Sequence, residues 1–234
     1  RALDGRADII EEGLGGRTTI WDEPFSEGRN GRTYLVPCLA SHAPVTVLVI
    51  MLGTNDLKAI FHLGAAEIAA GAGSLVDLAR ASATGPDGGP PAVLLVAPAP
   101  LGPLTVASEL WGFGAARETS ARLAPYYREV AAQAGAAFLD AGALVTTDPV
   151  DGVHLDAAAH GAGRPHLIHQ QHHVAAQIND IAAHACGQRL IGGAGVDDRQ
   201  FVTCVRGPLQ EARLQPGTHL REGALQAEHV VAAG

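Results

Sequence analysis

Three short stretches of the 234-residue chain hold side chains that could do chemistry. The first is Asp151-Gly152-Val153-His154. A histidine becomes a general base when a carboxylate fixes its tautomer and stabilises the imidazolium. An aspartate three residues earlier can do this within one tight loop, and Gly152 permits the sharp turn. The plain alternative is a surface turn with an exposed histidine. The second stretch, Gly53-Thr54-Asn55-Asp56, stands where an apolar run ends. Asn55 could aim its side-chain NH₂ into a cleft as an oxyanion donor. An Asn-Asp turn capping the next helix uses the same residues. The third, residues 11–19 (EEGLGGRTT), is glycine-rich and could turn backbone N–H groups toward an anion. It is not a phosphate loop, because the Lys-Ser/Thr ending and the G-x-G-x-x-G spacing are both missing. An ordinary flexible loop is its alternative.

Other reactive residues are less organised. The three cysteines, Cys38, Cys186 and Cys204, are too few and too scattered for a disulfide framework or a zinc motif. Cys38 reads as a small buried hydrophobe. Residues 161–234 carry seven of the 11 histidines. His166, His169, His172, His173, His184 and Cys186 offer an alternative function, metal binding, with His169 and His173 one helical turn apart. No Cys-x-x-Cys supports them, so no metal and no cofactor is expected.

Alternating strands and helices must position the first three stretches. Residues 7–10 form a short apolar run. Residues 45–52 (VTVLVIML) are β-branched and nearly unbroken, as in a strand buried on both faces. Residues 58–81 repeat at helical spacing, residues 84–91 (TGPDGGPP) break the chain, and residues 92–97 (AVLLVA) form a second buried strand. Residues 115–134 read as helix with a kink or restart at Pro125, and residues 136–140 as a short strand. This alternation predicts an α/β, doubly wound parallel sheet with ligands at the carboxyl ends of the strands.

Composition agrees with one α/β domain and an appendage. Hydrophobic residues are 47% and charged residues 17%, which excludes wholesale disorder. A net charge of −8 argues against nucleic acid or an anionic membrane as partner. No apolar run approaches a membrane span and no signal segment opens the chain, so the reading is a soluble, cytoplasmic protein. Fifteen arginines against the single Lys58, with 29 Gly and 14 Pro, point to GC-rich coding. Residues 161–234 are charge-balanced, hold one aromatic (Phe201), and show no sustained period beyond a helix at 171–185. They read as an irregular tail of the kind a frameshifted or chimeric reading frame gives.

The order of the stretches is more telling than any one of them. EEGLGGRTT (11–19), YLVPCLASH (34–42), VIMLGTNDLK (49–58), VLLVAPAPL (93–101) and DAGALVTTDPVDGVHLD (140–156) together resemble the SGNH (GDSL-like) hydrolase family, closest to its bacterial arylesterase and acyltransferase branch. The resemblance covers about residues 7–160 and divides the chain into 1–160, the hydrolase-like domain, and 161–234, the tail. It implies a flavodoxin-like fold and a serine esterase acting on short-chain acyl esters, with transfer to alcohols as a further outcome. His154 would be the base and Asp151 its orienting partner. Asn55 and the Gly16 N–H would bind the oxyanion. Lys58, Trp111 and Phe113 would border the acyl pocket, with ordinary packing as their alternative. The partner implied is a small-molecule ester, and a homo-oligomer is allowed.

One departure is large. The family's nucleophile lies in a Gly-Asp-Ser block after the first strand, ahead of the Gly loop, and no Gly-Asp-Ser occurs in the sequence. No nucleophile is therefore assigned. The expectation is an N-terminally truncated domain, itself inactive, with a non-catalytic remnant as the alternative reading. The family strand order 2-1-3-4-5 places the missing strand inside the sheet, where its loss would leave ladder groups unpaired. Either strand 2 moves across to strand 3, or another segment fills the slot, or the chain is unstable alone.

Overall fold

The computed structural model describes residues 8–155 and 201–206. Five strands form one sheet: β1 (Asp8–Glu11), β2 (Val47–Met51), β3 (Ala92–Ala97), β4 (Ala137–Asp140) and β5 (Phe201–Arg206). Their spatial order is β1-β5-β2-β3-β4. The pairs β2–β3 and β3–β4 are parallel, as expected for buried runs joined by helical crossovers.

β5 fills the interior slot. It runs antiparallel to both neighbours, with Cys204 opposite Ile10 on β1 and Leu48 on β2. The lack of period after residue 161 predicts irregular chain, and these six residues are strand instead. The sequence FVTCVR holds three β-branched residues and is followed by the breakers Gly207-Pro208, but it is too short to stand out in an aperiodic stretch. Here the slot supplies what the sequence alone does not, two unpaired strand edges that need a partner. The helix read at 171–185 and the tail histidines lie outside the described residues.

Alternation along β2 separates two apolar clusters. Leu48 and Ile50 face a larger one with Leu35, Leu39, Ile68, Leu75, Leu95 and Tyr127. Val47 and Val49 face a smaller one with Leu94, Val96 and Leu139. The larger cluster is covered by α1 (Gly31–His42), α2 (Ala65–Arg80) and α5 (Leu123–Ala134). α1 is not evident from periodicity, because Pro37 interrupts it and only Leu35, Cys38 and Leu39 carry the buried spacing. Asn30 starts it, accepting from the N–H groups of Arg32 and Thr33.

The remaining helices shift slightly from the sequence reading. α2 begins at Ala65 rather than residue 58, after two single 3₁₀ turns at Asn55–Leu57 and Ala59–Phe61. The second turn ends on His62 in the left-handed region, φ 51°, which stops helix propagation there. A short α3 (Val106–Ser108) enters a wide turn at Glu109–Phe113. The break in the last helical region falls at Arg122, between α4 (Arg117–Ala121) and α5, not at Pro125. Pro125 sits in the first turn of α5, where its missing N–H has no helical partner to lose.

Candidate active site

Two loops at the carboxyl ends of β2 and β4, and the Gly loop after β1, meet at one cleft of about 260 Å³. Its walls include Gly15, Gly16, Met51, Thr54, Asn55, Lys58, Trp111, Phe113, Thr147 and His154. The four residues singled out from sequence divide simply. His154, Asn55 and Gly16 line the cleft, and Asp151 stands directly behind His154.

The histidine loop is pinned from several sides. His154 Nδ1 and Asp151 Oδ2 are 2.6 Å apart. Asp151 Oδ1 accepts the N–H groups of Val153 at 2.7 Å and His154 at 2.9 Å. Ser108 Oγ donates to the Asp151 carbonyl at 2.5 Å, tying α3 to the loop. Gly152 has φ 73°, and a Cβ there would lie 2.2 Å from the Pro103 carbonyl oxygen, so only glycine fits. Burial works against ionised Asp151, but the hydrogen bonds from His154 and Val153 outweigh it and hold the carboxyl below its ordinary range. With an ionised carboxylate at Nδ1, the neutral ring carries its proton there and keeps Nε2 as the acceptor. Trp111 meets the His154 ring edge-on, with centroids 5.9 Å apart.

The opposite wall is built on Asp56. It is fully buried, and its carboxylate accepts the Thr19 N–H at 3.0 and 3.1 Å and the Thr19 hydroxyl. Desolvation pushes its pKa up to about 6 despite these bonds. This contact locks the Gly loop to the β2 end. Asn55 Nδ2 donates to the Arg17 carbonyl at 3.2 Å, which leaves its second hydrogen available to the cleft. Gly16 takes φ 82°, and Arg29 holds the adjacent Gly15 carbonyl at 2.7 Å. From α5, the buried Tyr127 hydroxyl donates to the Leu52 carbonyl at 2.7 Å, just before the Gly53 turn. Gly53, φ 118°, must lack a Cβ because one would sit 2.1 Å from that hydroxyl.

Lys58 lines the cleft with its ammonium 3.6 Å from Glu23, and Trp111 and Phe113 supply apolar wall. Sequence reasoning misses Thr19 and Asp56 as a pair. Asp56 is visible there only as a turn residue, and nothing in local spacing links it to a threonine in the Gly loop. No serine lines the cleft among the described residues. The hydroxyls there are those of Thr54 and Thr147.

Solved structures share the fold of the chain. Est24, a carbohydrate acetylesterase from Sinorhizobium meliloti, is 40% identical over 74% of this chain and 78% of its own, with a TM-score of 0.65. The native aryl esterase of M. smegmatis is 36% identical over 70% of this chain and 76% of its own, with a TM-score of 0.62. A further carbohydrate acetylesterase family member from Sinorhizobium meliloti is 40% identical over 63% and 70%, with a TM-score of 0.58. No curated protein sequence matches. The profile of GDSL-like lipases and acylhydrolases matches residues 1–162, spanning the Gly loop, Asn55 and the Asp151–His154 loop alike. The chain therefore belongs to the GDSL-like lipase/acylhydrolase family.

Proposed function

We propose that the cleft is the base and oxyanion half of a serine esterase site for short acyl esters. The observation that carries this reading is the 2.6 Å His154–Asp151 contact at the rim of a cleft that also presents Asn55 and Gly16. In this mechanism a serine hydroxyl attacks the ester carbonyl while His154 Nε2 takes its proton. The carbonyl oxygen becomes an oxyanion held by the Gly16 N–H and Asn55 Nδ2. His154 returns the proton to the leaving alkoxide, and the ester C–O bond breaks. Water, or an alcohol in acyl transfer, then attacks the acyl-serine with His154 again as base. A cleft of about 260 Å³ walled by Trp111 and Phe113 suits a small acyl group. A carbohydrate acetylesterase and an aryl esterase are among the solved relatives, and an acetyl group meets that limit.

The sequence contains no Gly-Asp-Ser, so on this reading the 234 residues alone form no acyl-enzyme. The test uses p-nitrophenyl acetate and a fluorophosphonate probe on two proteins. One is the chain as it stands, and the other carries a strand and a Gly-Asp-Ser block, as the family resemblance implies, ahead of Arg1. Expected are no serine labelling in the first, and labelling at the grafted serine with hydrolysis in the second. Labelling of a native serine would overturn the assignment of no nucleophile.

A second reading, a non-catalytic member, is favoured by one observation: β5 occupies the slot between β1 and β2. The resemblance gives that slot to the serine-bearing strand. If the grafted protein folds and shows no hydrolysis, this reading replaces the first.

A further inference from the structure

Outside the lining of the cleft, where α1 packs against the sheet, three side chains of different ligand chemistry converge. A carboxylate oxygen of Glu12, the Cys38 sulfur and a ring nitrogen of His42 all lie within 4.8 Å of one another. Cys38 and His42 stand one turn apart on α1, so helical geometry puts both on one face. Glu12 follows directly after β1 and comes from the other side.

We propose that Glu12, Cys38 and His42 form a site for a borderline-soft divalent cation, Zn²⁺ foremost. One thiolate, one imidazole and one carboxylate make a three-ligand zinc set with a fourth position open to water. On binding, the Cys38 S–H proton leaves to solvent and the sulfur bonds the metal. The resulting thiolate and the Glu12 carboxylate balance the dication, so the filled site is neutral. That matters because the Arg17 guanidinium lies nearby, stacked 3.8 Å from the Tyr34 ring centre, and a net positive centre would be repelled.

The surroundings orient the ligands. The Tyr34 hydroxyl donates to Glu12 Oε2, leaving Oε1 directed at His42 Nε2, 2.6 Å away. The metal would replace that last contact with two coordinate bonds. The Cys204 thiol of β5 hydrogen-bonds to Cys38 from the sheet side. Such outer contacts fix the geometry of the ligating groups. The Glu12 and His42 side chains are 22% and 24% exposed, which gives the ion a way in. Filled, the site would join the end of β1 to α1 beside the strand that closes the sheet.

The experiment uses the full 234-residue chain, fully reduced and stripped with chelator, titrated with Co²⁺ and then Zn²⁺. Expected is one Co²⁺ per chain, with an intense thiolate-to-cobalt charge-transfer band that Zn²⁺ abolishes. C38S should lose the band, and H42Q and E12Q should each weaken binding by roughly tenfold or more. One equivalent of Zn²⁺ should raise the melting temperature of the wild type and leave that of H42Q unchanged. H42Q alters a partly exposed side chain, so it stays informative if C38S fails to fold. Binding without a thiolate band would overturn the site. So would a band that persists in both C38S and H42Q, which would move the metal to the histidines and Cys186 of residues 161–234.

Discussion

Ending the chain after residue 200 removes β5 and should abolish cooperative folding. β5 pairs at four positions with β1 and at five with β2. An antiparallel ladder carries about one hydrogen bond per paired position. At about 0.5–1.5 kcal/mol net each, the two ladders are worth on the order of 5–13 kcal/mol. That equals most of the roughly 5–15 kcal/mol that holds a typical domain together. β1 then has no strand partner at all, and Leu48 and Ile10 lose the buried Cys204 set between them. A second chain ending after Arg206 keeps both ladders, and the difference between the two truncations isolates the six residues of β5. Differential scanning calorimetry with far-ultraviolet circular dichroism reads the result. The shorter chain should show no unfolding endotherm, while the longer one keeps a single transition. If the chain ending at residue 200 melts at the full-length midpoint with the full-length enthalpy, β5 does not close the sheet and the reasoning fails.

Other consequences are smaller and local. Tyr127→Phe removes a buried donor from the Leu52 carbonyl and should cost about 1–3 kcal/mol in urea unfolding. Gly152→Ala must displace the Pro103 carbonyl, so crystallography or NMR should find the Asp151–His154 hydrogen bond broken or lengthened. The two aspartates titrate with opposite signs. Asp56, raised to about 6, binds its proton more tightly folded than unfolded, so it lowers stability as pH rises from about 4 to about 6. In Asp56→Asn that decrement should vanish from the pH profile of the urea midpoint. Asp151, held low, stabilises the fold above the ordinary carboxylate pKa of 3.8 and loses that contribution as pH falls through its lower folded value. Asp151→Asn should therefore flatten the acid limb of the same profile.

Much of the site is legible in the sequence because its parts are local. Asp151 and His154 share one turn, and the N–H groups of Val153 and His154 within it bind the same carboxylate. Asn55 follows a strand whose apolar run is unmistakable. The parallel core strands are legible for the same reason, since β2 and β3 are buried on both faces and need no alternation. What is not legible depends on distance along the chain. Asp56 meets Thr19 across 37 residues, and no spacing rule joins them. Glu12 meets His42 only because α1 folds back across β1. α1 itself hides behind Pro37. β5 is the extreme case, since six residues become strand only where two edges wait for them.

The direction of synthesis gives that last strand a further meaning. Asp8 is made long before Arg206, yet the two are cross-strand partners. Everything from β1 to β4 leaves the ribosome before the segment that separates β1 from β2. At about 5–20 residues per second, the nascent sheet waits seconds with two open edges after His154 has emerged. Pairing across so long a stretch of chain is also the slowest kind to form once available. The molecule is therefore most exposed to strand-edge aggregation while it is being made, and a holding chaperone that caps those edges during synthesis should raise the yield of folded protein more than any change to the finished surface.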